Sequence, residues 1–219
     1  EQYREPVFFM MDEVVGHMTE RVAIPEAAAI NISERRWTAK KPGEYKVAES
    51  DASLVPEMVK AGDGYNIHVT GLTHDDRGYP SSAVPVQQHL VERLVNKIRH
   101  NADKLVDVRE EGVEGADIVV VTFGITSRVA VPAIEEARHR GLKVGHLRLV
   151  IAWPFPAARI RELAGRVKAF VVPELNMGQM VLEVERAANG QAKVLSAPHA
   201  GGTVHEPAAI LEKIMEAAS

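Results

Sequence analysis

The stretch Asp117-Ile118-Val119-Val120-Val121-Thr122-Phe123 decides the fold of this 219-residue chain. Its continuous run of β-branched and apolar residues predicts a strand that is buried on both faces, as strands of parallel sheets are. Gly124 to Ser127 follows as a turn into a helix that we expect to end at Gly141. A buried strand followed by a helix is the repeating unit of α/β folds, so the neighbouring sequence should repeat it.

Downstream, the alternation of strand and helix continues to the end of the chain. Three further strands are predicted at 143–149, 168–172 and 193–197, followed by helices that end at 164, span 178–188 and start at 206. Pro207 stands in the early helix position that accepts proline, whereas Pro132 requires its helix to start late or to bend. We therefore predict an α/β domain over residues 111–219, with a mostly parallel sheet and helices on both faces.

Upstream of residue 111 the pattern is different. Pro6 to Met11 is an apolar run typical of a buried strand, but the next hundred residues contain no regular strand–helix repeat to pair with it. We interpret residues 1–30 as the end of a larger domain. Residues 31–110 are interpreted as a connecting segment with a half-exposed strand at 65–70, a polar loop at 71–80 and an amphipathic helix at 85–100.

The helix at 85–100 has the strongest periodic signal in the chain. Its apolar residues recur at helical spacing and predict one buried stripe, formed by Leu90, Val91, Leu94, Val95 and Ile98. The charged residues between them are predicted to face away from the packed side, and they are Glu92, Arg93, Lys97 and Arg99. We expect the helix to pack once, through the apolar stripe.

The composition excludes several classes of function. With 46% hydrophobic residues, 26% charged residues and a net charge of -4, the chain is typical of a globular protein and has no one-sided basic surface for nucleic acid or an anionic membrane. It contains no cysteine, so it cannot supply a thiolate nucleophile or cysteine ligands for zinc or an iron–sulfur cluster. No apolar run approaches the ~20 residues of a membrane span, and we expect a cytoplasmic location.

The loops that follow the predicted strands are the first candidates for function, because parallel sheets bind ligands at the carboxyl ends of their strands. None of them has a dinucleotide fingerprint, a phosphate-binding Gly-Lys-Ser/Thr loop or a serine elbow. Asn176-Met177-Gly178-Gln179 stands at a predicted helix start, where free N–H groups can hold a carboxylate or phosphate. A helix cap with a tight turn is the simpler interpretation. Asn176, Gly178 and Gln179 are our second candidates for a cleft or interface.

The polar loop at 71–80 is chemically the richest segment. It contains His74, Asp75, Asp76 and Arg77, and a histidine with two carboxylates can bind a divalent metal or transfer protons. Adjacent residues of one loop rarely converge on one ion, so we predict no metal site. Arg77 can instead pair with a carboxylate and keep the loop rigid. These four residues are our first candidates for contact with a cleft or a neighbouring subunit.

Four landmarks, taken in order along the chain, resemble a known family. They are Asp12–Glu20 (DEVVGHMTE), Thr70–Gly78 (TGLTHDDRG), Pro154–Pro156 (PFP) and Pro173–Gln179 (PELNMGQ). Together they resemble the alpha subunit of 2-oxoacid:ferredoxin oxidoreductases, most like the 2-oxoglutarate type, over nearly the whole chain. The loop motif of that family usually reads His-Asp-Glu, whereas this chain has Asp76 as its third residue.

The resemblance implies a transketolase C-terminal-domain-like fold at 111–219, preceded at 1–30 by a remnant of the domain that binds the pyrimidine of thiamine diphosphate. It implies that the complete enzyme decarboxylates a 2-oxoacid, passes electrons through iron–sulfur clusters to ferredoxin and forms an acyl-CoA. Thiamine diphosphate, its magnesium and at least one cluster would be bound mainly by other domains or by the beta subunit, and none by this chain alone. The chain would supply scaffold and subunit interface, without an assigned catalytic residue, and would be inactive alone.

Two other functions stay open at this point. A non-catalytic α/β module that binds a protein, or an anion at Gly178, is compatible with the same loops. So is the carboxyl-terminal part of a dehydrogenase E1 or transketolase-like subunit, which would share the fold but use no ferredoxin. Whether the assembled complex reduces viologen or NAD distinguishes the ferredoxin-dependent enzyme from this last alternative.

Overall fold

The computed structural model describes all residues from 1 to 219. The chain forms two compact units: an amino-terminal unit of Glu1–Phe8 and Arg21–Asp103, and a carboxyl-terminal unit of Phe9–Glu20 and Lys104–Ser219. The helices are α1 (Glu13–His17), α2 (Val84–Arg99), α3 (Ala102–Leu105), α4 (Thr126–His139), α5 (Ala157–Ala164), α6 (Met180–Ala188) and α7 (Pro207–Ala218), with a 3-10 turn at Ala27–Ala29. The strands are β1 (Val108–Glu111), β2 (Ile118–Phe123), β3 (Val144–Leu149), β4 (Ala169–Glu174) and β5 (Lys193–Pro198). None of the helices combines the length and the apolar character needed to cross a membrane.

The carboxyl-terminal unit is built on a five-stranded sheet in the order β1-β3-β2-β4-β5. The last four strands are parallel, and β1 pairs with β3 in the antiparallel direction at one edge. The four predicted strands and the helices that follow them are confirmed, and with them the α/β class and the mostly parallel sheet. β1 was missed because the sequence Val108-Arg109-Glu110-Glu111 is charged and mostly exposed, so it lacks the apolar pattern of a core strand.

Helices cover both faces of this sheet, as predicted. Val119 and Val121 on β2 pack in a cluster with residues of α5 and α6. Ile118 and Val120 on the same strand pack in a second cluster, with residues of α4 and α7. Because successive side chains of a strand point to opposite faces, a strand covered on both sides needs apolar side chains on both. β2 meets that requirement at every position except Thr122, whose buried hydroxyl is hydrogen-bonded to Ser127.

Pro132 lies inside α4, which begins at Thr126. Of the two outcomes predicted from Pro132, a late helix start or a bend, the late start is therefore excluded. Proline removes one backbone N–H and leaves the carbonyl of the residue four positions earlier without its helical partner. That residue is Arg128, and both Arg128 and Pro132 are exposed, so water can satisfy the carbonyl.

The amino-terminal unit has extended chain where two strands were predicted. Neither Pro6 to Met11 nor Tyr65 to Thr70 forms a strand, and the pairing within this unit is limited to isolated bridges, such as the one between His74 and Pro80. A strand needs a neighbouring backbone for its hydrogen bonds, and neither segment finds one in this chain. The prediction of a buried strand at the first segment is wrong here, since Phe8 and Phe9 are 86% and 87% exposed.

Helix α2 confirms the predicted helix at 85–100 to within one residue but packs through a neighbouring face. Arg93 and Lys97 are 8% and 2% exposed, whereas Leu94 is 39% exposed. Leu90 of the predicted stripe is half-buried, so the predicted packing face is partly wrong. Long basic side chains can bury their stems while their charged heads meet polar partners. Lys97 does this by pairing with Glu5, with 2.7 Å between Nζ and Oε1.

Candidate functional site

The loop with the candidate residues His74 to Arg77 is a closed turn held by its own backbone. The N–H of Asp75 donates to the carbonyl oxygen of Tyr79 at 3.0 Å, and the N–H of Gly78 donates to that of Asp75 at 2.9 Å. The Tyr79 ring stacks on His68 with 4.7 Å between the ring centres. His68 Nδ1 in turn lies 2.8 Å from the carbonyl oxygen of Gly78. The loop is thus anchored to the segment that precedes it.

Asp75 shapes this turn with its side chain. Its Oδ1 accepts the N–H groups of Arg77 at 2.9 Å and Tyr79 at 3.2 Å, and its Oδ2 pairs with the Arg77 guanidinium at 2.8 Å. The hydrogen bond from Arg77 is the largest cause that lowers the pKa of the Asp75 carboxyl. The pairing expected of Arg77 is therefore present. Both carboxylate oxygens of Asp75 serve the loop itself.

The other two candidates of the loop have separate partners. His74 Nδ1 lies 2.9 Å from the carbonyl oxygen of Asp75, and His74 lines a cleft of about 150 Å³ in the amino-terminal unit. Asp76 pairs with His89, with 3.6 Å between Oδ1 and Nε2. No group of three or more His, Cys, Asp or Glu side chains in the chain is placed to hold a metal ion.

The same cleft brings together basic residues that sequence reasoning did not connect. Arg4, His68, Arg93 and Lys97 line it together with His74. Sequence reasoning placed two of them on the solvent side of α2, because charged residues between apolar ones usually face water. The spacing of four residues between Arg93 and Lys97 was the available signal, since it puts both on one side of a helix.

The turn before α6 is built around a carboxylate side chain of the protein itself. The carboxylate of Glu174, which is completely buried at the end of β4, accepts the N–H groups of Met180 at 2.7 Å and Val181 at 2.9 Å. It also accepts the N–H of Gln179 and Nδ2 of Asn176, both at 3.2 Å. A helix start attracts negative charge, and here Glu174 supplies it. The helix-cap interpretation is thus confirmed, and an external anion would find these N–H groups occupied.

Asn176 and Gly178 complete that turn. Asn176 Oδ1 accepts the N–H of Gly178 at 2.7 Å, and Gly178 has φ of +104°, a conformation that side chains disfavour. Met177 between them is exposed. The polar groups of the turn are used internally, and the assignment of Asn176, Gly178 and Gln179 to a cleft or interface stays a prediction.

A second carboxylate stabilises the turn between β2 and α4. Asp12 Oδ2 accepts the N–H of Ile125 at 2.7 Å. A Cβ atom on Gly124, which has φ of +60°, would lie only 2.3 Å from the same oxygen, so this position needs glycine for space as well as for its backbone. The contact links the segment Phe9–Glu20 to the rest of the carboxyl-terminal unit, which is distant from it in sequence. Sequence reasoning assigned Asp12 no structural role.

A buried polar network connects three elements of the sheet domain. Thr122 on β2 donates from Oγ1 to Oγ of Ser127 on α4 at 3.0 Å, and Thr122 Oγ1 lies 2.7 Å from Nε2 of His146 on β3. Burial lowers the pKa of the His146 imidazole, and Glu111 opposes this shift. His146 is therefore held in its neutral form.

We expect His146 to make the carboxyl-terminal unit less stable in acid. Its folded pKa lies below the unfolded value of about 6.5, so the unfolded state takes up the proton first. The stabilisation is fully present above about pH 6.5 and falls below it by up to ~1.4 kcal/mol per pH unit. His205, whose pKa is also lowered by burial, adds a second contribution. Urea unfolding from about pH 5.5 to about pH 7.5 measures the slope.

The variant His146→Gln should reduce that slope, whereas His139→Gln, a change at an exposed histidine of α4, should leave it unchanged. An equal slope in wild type and His146→Gln would contradict the assignment.

Two family models match this chain, one over the parallel sheet domain and one over the sequence upstream of it. Residues 116–210 match the family model described as pyruvate:ferredoxin oxidoreductase core domain II. Residues 1–93 match the model described as pyruvate flavodoxin/ferredoxin oxidoreductase, thiamine diphosphate-binding. Both models describe parts of ferredoxin oxidoreductases, and the second describes a thiamine diphosphate-binding part.

Individual relatives narrow this class. The chain is 43% identical to 2-oxoglutarate synthase subunit KorA of Methanothermobacter marburgensis, over 98% of this chain and 57% of the relative. It is 30% identical to ketoisovalerate oxidoreductase subunit VorB of Methanothermobacter thermautotrophicus, over 100% of this chain and 54% of the relative. The chain thus spans about half the length of these curated relatives. It belongs to the 2-oxoacid:ferredoxin oxidoreductase family, as part of an alpha subunit, and the resemblance seen in the sequence is confirmed.

A solved structure supports the same placement. The 2-oxoglutarate:ferredoxin oxidoreductase from Magnetococcus marinus, solved with 2-oxoglutarate, coenzyme A and succinyl-CoA bound, superimposes with a TM-score of 0.78 at 26% identity. The match covers 89% of this chain and 34% of that chain. This likeness agrees with the α/β fold and with the family.

Proposed function

We propose that this chain is part of the alpha subunit of a 2-oxoglutarate:ferredoxin oxidoreductase that forms an acyl-CoA. The observation that carries the proposal is the 43% identity to KorA over 98% of the chain. In the complete reaction the bond between C1 and C2 of the 2-oxoacid breaks, carbon dioxide leaves, and two electrons pass to ferredoxin. The thiol of coenzyme A loses its proton as its sulfur bonds to the acyl carbon. A chain without cysteine leaves the iron–sulfur clusters to its partners.

Neither the cleft in the amino-terminal unit nor the start of α6 fits thiamine diphosphate. The cleft of about 150 Å³ is smaller than the ~300 Å³ of pockets that hold molecules of that size. The N–H groups at the start of α6 are occupied by Glu174, and no carboxylate cluster is placed to hold the magnesium ion. We therefore propose that the cofactor, its magnesium and the clusters are bound mainly by other segments and by the beta subunit, and we derive no chemical step through them from these residues.

We propose that this chain contributes scaffold and interface to the complex. Residues 1–30 would be the remnant of the pyrimidine-binding domain, followed by a connecting segment at 31–110 and the core domain at 111–219. The exposed run Val7, Phe8 and Phe9 supports this assignment, because proteins that act alone rarely expose large apolar side chains side by side. The His74–Arg77 loop and the Asn176–Gln179 turn are the polar interface candidates.

A chimeric subunit tests the proposal. This 219-residue sequence would replace the matching region of KorA from Methanothermobacter marburgensis, which would be expressed with the other subunits of that enzyme. We expect viologen reduction that depends on 2-oxoglutarate and coenzyme A, with a much lower rate on pyruvate. The 219-residue chain alone should show no activity and no binding of thiamine diphosphate.

Three results would count against the proposal. They are activity of the isolated chain, an assembled chimera that reduces NAD rather than viologen, and an assembled chimera that prefers pyruvate. The second result would favour the dehydrogenase-like alternative, and the third would change the substrate while leaving the family intact.

A further inference from the structure

The cleft in the amino-terminal unit is lined by a positive charge that has no hydrogen-bonded protein partner. Arg93 is 8% exposed, lines the cleft, and has no hydrogen bond or ion pair within the chain. Its guanidinium nitrogens are not among the fully buried polar atoms without a partner, so the head group still reaches water at the cleft. Charged groups that lose most of their water are normally paired or hydrogen-bonded, and arginine stays protonated under physiological conditions. An anion from outside the chain can therefore pair with it there.

The neighbouring basic groups do have partners. Arg4 Nη1 donates to the carbonyl oxygens of Pro56 and Glu57, both at 3.0 Å. Lys97 Nζ pairs with Glu5 at 2.7 Å. These two side chains are therefore held in place at the cleft by the protein itself. Arg4 still adds positive potential there, because carbonyl oxygens do not cancel its charge, whereas Glu5 offsets much of the charge of Lys97.

The carboxylates near Arg93 are too few to neutralise it. Glu5 pairs with Lys97, and Asp76 Oδ1 lies 3.6 Å from Nε2 of His89. Asp76 and Glu5 act on Arg93 only as charges at longer range, and burial is the largest influence and lowers the pKa of Arg93. Three guanidinium or ammonium groups thus stand against two carboxylates, which leaves the cleft with excess positive charge.

The size and lining of the cleft limit what can bind. Its volume of about 150 Å³ corresponds to roughly five water molecules at ~30 Å³ each. That space accepts a phosphate or carboxylate group but not a whole nucleotide. Thr70 and His74 also line the cleft, so polar hydrogen-bonding groups are available beside the guanidinium.

We propose that this cleft binds one oxyanion group, a phosphate or a carboxylate, with Arg93 as its principal ligand. The planar guanidinium can donate two parallel hydrogen bonds to such a group, and Arg4 and Lys97 add charge without leaving their own partners. The site lies in one unit of the chain and does not depend on the proposed enzyme activity.

The test is a titration of the 219-residue chain with inorganic phosphate and, separately, with acetate, at constant ionic strength kept with chloride. We expect Arg93→Met to weaken binding of the preferred anion by at least about tenfold. Arg99→Met removes the same charge from an exposed position of the same helix and should change the affinity by less than about twofold. Arg93→Lys, which keeps the charge but loses the planar fork, should lie between the two.

Stability gives an independent readout. Arg93→Met removes a charge that has no hydrogen bond or ion pair in the chain, so without anion it should melt at or above the wild-type temperature. Phosphate or acetate should raise the melting temperature of the wild type and of Arg99→Met but not of Arg93→Met. In the wild type, the bound anion should also slow hydrogen exchange in α2, a measurement that needs no variant.

Each outcome decides the proposal. Binding of phosphate alone or acetate alone that depends on Arg93 supports it and names the chemical class, and binding of both supports a general oxyanion site. The proposal is overturned if neither anion binds, if Arg93→Met binds as well as the wild type, or if Arg99→Met loses as much affinity as Arg93→Met.

Discussion

Replacing Glu174 with alanine is expected to lower the free energy of unfolding of the carboxyl-terminal unit by about 4 kcal/mol. The carboxylate is completely buried and accepts four hydrogen bonds, three of them from the backbone at the start of α6. Alanine would leave these donors without a partner and would remove the negative charge that the helix start favours. Urea unfolding followed by circular dichroism measures the loss.

The matched control is Glu183→Ala, which removes the same side chain from a half-buried surface position in the first turn of α6. Glu183 pairs with Arg186 at 2.7 Å on the surface, and such pairs contribute only ~0.5 kcal/mol. Glu174→Gln keeps the shape but offers one acceptor oxygen instead of two, so it should fall between the alanine variant and the wild type. Similar losses for Glu174→Ala and Glu183→Ala would rule out this role for the buried carboxylate.

Replacing Gly78 with alanine is expected to destabilise the amino-terminal unit by about 3 kcal/mol or more. Gly78 has φ of +87°, and an added Cβ would lie 2.0 Å from the carbonyl oxygen of His68 and 2.7 Å from Cγ1 of Val47. The first contact is with backbone, which cannot rotate away. The turn at His74–Arg77 should open, and limited proteolysis at this loop together with thermal unfolding would detect the change.

Gly43→Ala separates the backbone strain at a positive φ from the steric clash of an added Cβ. Gly43 has φ of +96°, but an added Cβ would meet nothing within 4 Å. Its replacement should cost only the backbone strain, about 1 kcal/mol. If the two variants lose equal stability, the close approach between residue 78 and His68 does not control the loop.

The assignment of His74–Arg77 to a functional cleft or interface stays a prediction. Arg77 pairs with a carboxylate of its own loop, because neighbouring residues of one tight loop lie within contact distance. Arg93 and Lys97 were expected to face solvent, since helical periodicity carries no information about the polar groups that a distant segment brings. Lys97 is buried because Glu5 meets it, and Arg93 is buried beside the same segment.

The resemblance and the structure contribute differently to function. Landmarks such as the loop Thr70–Gly78 pointed to the family before any fold was known, and the relatives confirm it. The roles of individual landmark residues needed coordinates. Asp75 and Glu174 carry negative charges that catalysis or metal binding could use, yet both are engaged by backbone N–H groups of their own turns.

The pattern of residues along the chain was sufficient to predict the sheet domain. The nearly continuous apolar run of β2 and the strand–helix alternation after it are local patterns, and local patterns predict elements whose faces are all buried. The partners of the charged groups are visible in the folded chain alone. Glu5 pairs with Lys97, Asp12 accepts the N–H of Ile125, and Arg93 has no hydrogen bond or ion pair. Burial of apolar surface depends on periodicity along one segment, whereas a buried charge depends on the groups that distant segments place within a few ångströms of it.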